Sequence, residues 1–247
     1  KQGVYAHLDL FDAIDWGLII YDEVHLLPAP IFRFTADIQS RRRLGLTATL
    51  VREDGMEGEV FSLIGPKRYD VPWKEIEAQG YIAPADCIEV RVNLTEDERL
   101  NYATAEPEDR YRFCSTTATK RKVAIALAKQ HSTEQVLIIG QYIDQLDALS
   151  AELGVPLIKG DTPIKERERL FALYRTGEIK CLVVSKVANF SIDLPDATIA
   201  IQVSGTFGSR QEEAQRLGQI LRPKSDGRTA RFYSIVARDT VDQDFAQ

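Results

Sequence analysis

The chain has 247 residues, of which 44% are hydrophobic and 28% are charged. This size and composition suffice to bury one large core or two modest ones, which excludes a disordered protein. The 31 lysines and arginines are outnumbered by 37 aspartates and glutamates, so the net charge of −6 repels a polyanion at long range. Any contact with nucleic acid must therefore be local.

Six short apolar runs predict strands, because β-branched runs of this length are typical of strands buried on both faces. In chain order they occupy residues 18–21, 43–46, 136–139, 181–184, 199–203 and 232–236. Helical patterns separate the later runs. The first helix is indicated by an apolar stripe at positions 143, 146, 149 and 153. The second is predicted to begin with Thr162 as N-cap and Pro163 as first residue. The third runs from the capping box of Ser209 and Glu212 to Pro223. This alternation predicts an α/β fold with a parallel, doubly wound sheet.

A stretch rich in proline and glycine, residues 65–84, interrupts the alternation and predicts a connection between two domains. We therefore expect one domain at 1–84 and another at 85–247. The polar segment at about 95–119 continues neither strands nor crossovers, and we interpret it as an inserted helical element.

The cysteines and histidines indicate neither a disulfide framework nor a transition-metal site. Cys87, Cys114 and Cys181 are far apart, and none of the three histidines lies at metal-ligand spacing from another. The early apolar run at 17–21 is too short for a signal peptide or a membrane span. We expect a cytoplasmic protein without membrane contact. Because the chain starts with Lys1 rather than Met, we also expect that a further segment precedes it.

Three basic runs are candidates for a local contact with nucleic acid: residues 41–43, residues 120–122, and the pair Arg222 and Lys224. Taken alone, each run is more typical of a solvated charged face.

Two carboxylates follow the first predicted strand, in Asp22-Glu23-Val24-His25. Ligands of open parallel sheets bind beyond the carboxyl ends of the strands. Asp22 suits a hard cation such as Mg²⁺, and Glu23 suits a group that orients an attacking water in phosphoryl transfer. By itself, such a pair is more often a turn or a helix cap.

Two further elements accompany the acidic pair. The second strand runs into Thr47-Ala48-Thr49, whose hydroxyls could sense a neighbouring site by hydrogen bonding. Positions 215, 218, 219 and 222 of the third helix share one face, which presents polar and cationic groups to an anion. Alone, this helix would be interpreted as an amphipathic surface helix.

Together these elements resemble the helicase motifs of superfamily 2, and within it the XPB-type (xeroderma pigmentosum group B) DNA repair helicases. Asp22 to His25 resembles motif II, Thr47 to Thr49 motif III, and Ile138-Ile139-Gly140-Gln141 motif IV. Motif V is similar to residues 185–195 and motif VI to residues 215–222. Arg52-Glu53-Asp54 matches the R-E-D element of that family. The resemblance runs from about residue 16 to the end of the chain.

The resemblance implies two RecA-like lobes, with a thumb-like insert at about 95–119, and ATP and Mg²⁺ as cofactors. It implies that Asp22 holds Mg²⁺, that Glu23 holds the water, and that Arg222 lies against the γ-phosphate. His25 and Thr47 would couple the nucleotide state to lobe motion, and Asp193 would reach the nucleotide. On the same basis the nucleotide side includes Gln215 and Arg216, and the nucleic-acid side consists of Gln141, Lys186, Arg52, Glu53 and Asp54.

The implied partners are single-stranded or forked DNA and a repair nuclease, although the motifs themselves do not distinguish DNA from RNA.

Two departures from the family pattern limit these expectations. No G-x-x-x-x-G-K-[ST] phosphate loop occurs, so we expect an incomplete first lobe and little ATP hydrolysis by this chain alone. Gln219 stands where the family pattern has the first of two arginines, and a neutral amide supplies neither charge nor a bidentate fork. Two alternatives to an ATP-driven DNA helicase or translocase therefore stay open: a non-catalytic RecA-like module that binds DNA or protein, and the motor subunit of a restriction enzyme.

Overall fold

The computed structural model describes residues 14–24, 27, 35, 40–47, 57–72, 75, 78–79, 85–185, 197–205 and 229–245. Contacts along the chain divide it into two compact units, Lys1–Val71 and Pro72–Gln247. The division lies inside the stretch 65–84 that the sequence marks as a connection.

The described part of the first unit contains two short parallel strands and one helix. Strand β1 (Ile19–Tyr21) pairs with β2 (Arg43–Gly45), and helix α1 (Glu57–Ile64) packs on one face of the pair. The helix forms because Val60, Leu63 and Ile64 follow the spacing of a single helical face.

The other face of β1 and β2 differs from our prediction. Both strands were expected to be buried on both faces, but four side chains are 44–55% exposed: Leu18, Ile20, Leu44 and Leu46. They share one face because side chains alternate along a strand. Among the described residues, helix α1 covers only the opposite face, which explains the difference.

The second unit contains a parallel sheet of six strands in the order β3-β8-β7-β4-β6-β5. The strands are β3 (Ala85–Val92), β4 (Val136–Gly140), β5 (Leu157–Ile158), β6 (Cys181–Ser185), β7 (Ile199–Gln202) and β8 (Ala230–Ala237). The predicted α/β class and parallel sheet are confirmed.

Helices cover both faces of this sheet. They are α2 (Glu96–Thr104), α3 (Arg110–Ser115), α4 (Ala118–Gln130), α5 (Ile143–Leu153), α6 (Ile164–Thr176) and α7 (Val241–Phe245). Alternation along β4 sends Ile138 into a core with α3, α4 and α5, and sends Leu137 and Ile139 into a second core with α6. The sheet is therefore wound on both sides.

The segment at 95–119 is helical, as predicted, and is tied closely to the core. Thr95 and Glu98 form a capping box at the start of α2. Helix α3 buries Tyr111 and Cys114 in the core beside α4.

Two details differ from the sequence prediction. Thr162 does not cap the second predicted helix: its hydroxyl accepts a hydrogen bond from the Lys159 N–H at 2.9 Å, and α6 begins at Ile164. Strands β3 and β5 and helices α1, α4 and α7 were not predicted at all. The third predicted helix, residues 209–222, lies outside the described residues. None of the described helices is both long enough and apolar enough to cross a membrane.

Candidate nucleotide and nucleic-acid sites

The acidic pair lies in a tight turn directly after β1. Asp22 is exposed, and its Oδ1 accepts a hydrogen bond from the Glu23 N–H at 2.9 Å. Glu23 has a φ of 49°, in the left-handed region that residues other than glycine rarely adopt. Such a conformation costs on the order of 1–3 kcal/mol and is found most often at functional sites. The turn therefore holds two carboxylates at the carboxyl end of a parallel strand.

Backbone hydrogen bonds fasten this turn to the end of β2. The Leu46 N–H donates to the Tyr21 carbonyl at 2.8 Å, and the Val24 N–H donates back to the Leu46 carbonyl at 2.9 Å. Thr47 is the next residue in the chain and is half-buried. The acidic pair and Thr47, the first residue of the hydroxyl segment, are thus brought together.

A close contact explains why β2 contains glycine. A Cβ atom at Gly45 would lie 2.8 Å from Cγ2 and 3.0 Å from Cγ1 of Val24. Val24 is buried against Leu27 and Val60. Any larger residue at position 45 would therefore push on the turn that carries Asp22 and Glu23.

The donor chemistry of the turn fits a magnesium ion that also binds phosphate. In the described parts of the chain, no group of three or more histidine, cysteine, aspartate or glutamate side chains could hold a metal by itself. Mg²⁺ typically takes one or two protein carboxylates and completes its shell with water and phosphate oxygens. Asp22, exposed at the strand end, is a donor of that type.

The second candidate site is the carboxyl edge of the large sheet, where Gln141 directly follows β4. The Gln141 N–H donates to Ser204 Oγ at 2.7 Å, which links the end of β4 to the residues after β7. The Gln141 side-chain carbonyl oxygen and the Ser185 hydroxyl are buried without a hydrogen-bond partner among the described residues. Buried polar atoms without partners are rare, so this edge is unusually polar for a buried position.

The basic run at 120–122 is not a surface charge cluster as a whole. Lys120 is 0% exposed, and its Nζ lies 2.5 Å from Asp242 Oδ2 and donates to the Val203 carbonyl at 3.2 Å. Lys120 is therefore unavailable to a polyanion. The sequence could not show this, because both partners are distant along the chain.

An arginine lies beside the residues that follow Gln141. Arg112 lies over the Tyr142 ring at 5.6 Å and donates to Asp144 at 3.1 Å. Burial chiefly raises the pKa of the Tyr142 phenol, and the Arg112 guanidinium opposes part of that rise.

Among the sequence-predicted site residues, Asp22, Glu23, Thr47 and Gln141 lie in the described regions. The others lie outside the described residues: His25, Arg52, Glu53, Asp54, Lys186, Asp193, Gln215, Arg216, Gln219 and Arg222.

Curated relatives match the chain over almost all of its length. The DNA 3'-5' helicase XPB of Kineococcus radiotolerans is 72% identical over 246 residues, which are 100% of this chain and 44% of that protein. The DNA 3'-5' helicase XPB of Mycobacterium tuberculosis is 69% identical over 245 residues, 99% of this chain and 45% of that protein. The chain therefore spans less than half the length of these relatives.

A solved structure supports the fold. The helicase domain of Pyrococcus furiosus Hef superposes with a TM-score of 0.55 at 13% sequence identity, covering 96% of this chain and 75% of that one. This likeness bears on the fold alone, and it agrees with a RecA-like architecture. The family model described as ERCC3/RAD25/XPB C-terminal helicase matches residues 76–247. The chain therefore belongs to the ERCC3/RAD25/XPB helicase family, as its sequence motifs indicate.

Proposed function

We propose that the whole protein is an ATP-driven DNA helicase or translocase that acts in DNA repair. Its relatives in Kineococcus radiotolerans and Mycobacterium tuberculosis are both named DNA 3'-5' helicase XPB. Because the chain spans only 44% and 45% of those proteins, we assign the activity to the whole protein. We further propose single-stranded or forked DNA as its substrate and a repair nuclease as a protein partner.

One observation carries the ATPase part of the proposal: the strained acidic turn fastened to β2. The left-handed backbone of Glu23 and the two hydrogen bonds to Leu46 fix the main chain that carries both carboxylates at the strand end. Fixed acceptors need no reorganisation during a reaction, which is the main way in which proteins catalyse phosphoryl transfer.

The residues of the turn have distinct tasks in this proposal. Asp22 supplies an oxygen ligand for Mg²⁺, which when bound with ATP neutralises negative charge on the phosphates. Glu23 accepts a hydrogen bond from the attacking water, which orients the water, and takes its proton as a general base. Thr47 moves with the turn, since Leu46 exchanges backbone hydrogen bonds with Tyr21 and Val24. A shift of the carboxylates is thereby passed to the segment after β2.

DNA contacts the carboxyl edge of the large sheet in this proposal, at Gln141. One feature supports it: the position of this edge beyond the strand ends, where ligands of parallel sheets bind. The net charge of −6 agrees with a local contact of this kind rather than a broad basic surface.

The experiment compares Asp22→Asn with Asp70→Asn in the whole protein. Both changes remove one exposed carboxylate from the first unit, but Asp70 makes only a surface ion pair with Lys67 at 3.1 Å. We expect Asp22→Asn to lower DNA-stimulated ATP turnover by about 100-fold and to raise the Mg²⁺ concentration for half-maximal rate. Asp70→Asn should stay within about twofold, because exposed ion pairs contribute little.

Equal turnover in Asp22→Asn and wild type would contradict the assigned role of Asp22. If wild-type protein binds DNA but does not hydrolyse ATP at any Mg²⁺ concentration, the non-catalytic module is the correct function. Gln219 in place of a family arginine is the feature of the sequence that favours that alternative.

A further inference from the structure

A buried ion pair joins three elements near the carboxyl edge of the large sheet. Lys120 on α4 is 0% exposed, and Asp242 on α7 is 6% exposed. Lys120 Nζ lies 2.5 Å from Asp242 Oδ2. The same oxygen accepts the Ala237 N–H at 2.8 Å, at the end of β8. The pair is therefore held in one geometry.

Contacts lead from this pair to Gln141. Lys120 Nζ also donates to the Val203 carbonyl at 3.2 Å, directly after β7. The neighbouring Ser204 Oγ accepts the Gln141 N–H at 2.7 Å. Gly140 is pressed against both, since a Cβ there would lie 2.9 Å from Val203 and 3.0 Å from Ser204. The position of Gln141 thus depends on where Lys120 holds the chain after β7.

The pair also lies beside the helices at 95–119. The Val241 N–H, next to Asp242, donates to the Tyr102 hydroxyl on α2 at 2.9 Å. Helix α3 lies beside the pair as well, since Val241 packs against the core that contains Tyr111 and Cys114. Burial and then the Asp242 carboxylate raise the pKa of the Cys114 thiol to about 11. The ion pair is therefore the junction between these helices and the strand ends.

Stability alone does not explain a buried pair of this kind. Removing both charges from water costs several kcal/mol per ion, so replacing such a pair with apolar residues is often neutral or stabilising. Breaking it by removing a single partner is strongly destabilising, because the remaining charge is left buried. What the pair does supply is a fixed geometry for the elements that it joins.

We propose that Lys120 is a positioning residue for DNA binding: paired with Asp242, it fixes Val203 and Ser204, and through them Gln141 at the DNA-contacting edge. The inference rests on the proposed function, because Gln141 must contact DNA. Lys120 itself does not touch the DNA.

The test uses Lys120→Met with Asp242→Asn in the whole protein. This double variant removes both charges, keeps an acceptor for the Ala237 N–H, and deletes the donor to the Val203 carbonyl. The matched control is Lys159→Met with Asp147→Asn, which makes the same changes in an exposed ion pair of the same unit. Affinity for a fluorescently labelled single-stranded oligonucleotide is measured by anisotropy, and folding by thermal unfolding.

We expect the double variant and Gln141→Ala each to raise the Kd by about tenfold, while the exposed control stays within about twofold. Combining the double variant with Gln141→Ala should add little, because groups that act through one chain of contacts are not additive. A purely structural role would change the unfolding temperature without this loss of additivity.

Two results distinguish failure of the proposed DNA edge from failure of the positioning role of Lys120. If Gln141→Ala binds DNA as tightly as wild type, the proposed DNA edge is wrong, and the inference falls with it. If Gln141→Ala weakens binding but the folded double variant does not, or if the two effects add, the positioning role of Lys120 is wrong. If the double variant does not fold, Ser204→Ala is used instead, because it removes the hydrogen bond from the Gln141 N–H to Ser204 Oγ and leaves the ion pair intact. Wild-type affinity in Ser204→Ala would then overturn the inference.

Discussion

Replacing Gly140 with alanine tests how tightly the end of β4 is packed against the residues after β7. The added Cβ would lie 2.8 Å from Leu146 Cδ2, 2.9 Å from Val203 Cγ2 and 3.0 Å from Ser204 Oγ. Carbon atoms prefer separations of roughly 3.5–4.0 Å, so all three neighbours must move. All three are buried and have little room to do so.

The expected loss of stability has two parts. Overpacking a buried position costs about 1–3 kcal/mol. Displacing Ser204 also weakens its hydrogen bond with the Gln141 N–H, which contributes about 1 kcal/mol. Together these give a loss of about 3 kcal/mol, or a fall in Tm of about 6–12 °C for a unit of this size.

Thermal unfolding followed by far-ultraviolet circular dichroism measures the effect. The control is Gly58→Ala in α1, where no atom of the described residues outside the neighbouring helix backbone lies within 4 Å of the added Cβ. That substitution should stabilise its helix, by up to about 1 kcal/mol. An unchanged Tm in Gly140→Ala would refute the close packing at the end of β4. An equal fall in the Tm of Gly58→Ala would show that the fall in Gly140→Ala does not measure that packing.

Three further predictions follow from other parts of the chain. Burial raises the pKa of Glu98, but hydrogen bonds from Thr119 and Thr95 outweigh burial and lower the pKa overall. The ionised carboxylate therefore stabilises the fold above about pH 4.3, and this stabilisation is lost as the pH falls below that value. In unfolding measurements between neutral and acid pH, the Glu98→Gln variant should lose less stability than wild type. Iodoacetamide at about pH 8 should label exposed Cys87 well before Cys114, whose thiol is buried with a pKa of about 11, and equal rates would contradict that burial. In the whole protein, Gln219→Arg should raise ATP turnover at least about tenfold, since an arginine finger contributes roughly 10³ to 10⁵ in rate; equal turnover would show that position 219 does not carry the finger.

The central strands of the large sheet could be predicted from the sequence because they are apolar on both faces. Residues 136–139, 181–184 and 199–203 each form a strand within one or two residues of the predicted bounds. Strand β3 was missed because Asp86, Glu89 and Arg91 interrupt it, so that it contains no continuous apolar run. It lies at the edge of the sheet, where a continuous apolar run is not required.

The acidic turn was predicted in place but not in conformation. The position of Asp22 and Glu23 after a strand follows from the apolar run before them. The left-handed φ of Glu23 depends on the hydrogen bonds to Leu46, which is more than twenty residues away in the sequence. The residues around Glu23 in the sequence contain no information about these hydrogen bonds to Leu46.

The buried state of Lys120 could not be predicted for a similar reason. Its neighbours Arg121 and Lys122 make the run resemble a solvated face. Only the fold brings Asp242 and the Val203 carbonyl to the same side chain. Charged residues become buried where a distant partner compensates them, and one sequence does not show which partner that is.

ATP turnover by Glu23→Gln in the whole protein, with and without single-stranded DNA, tests the central claim most directly. Glutamine keeps the size of the side chain but cannot take a proton from water. We predict that DNA-stimulated turnover falls by about 10² to 10⁴, while the Kd for ATP changes little. Turnover close to that of wild type, or a wild-type protein whose hydrolysis does not respond to DNA, would contradict a motor in which the turn after β1 orients the attacking water.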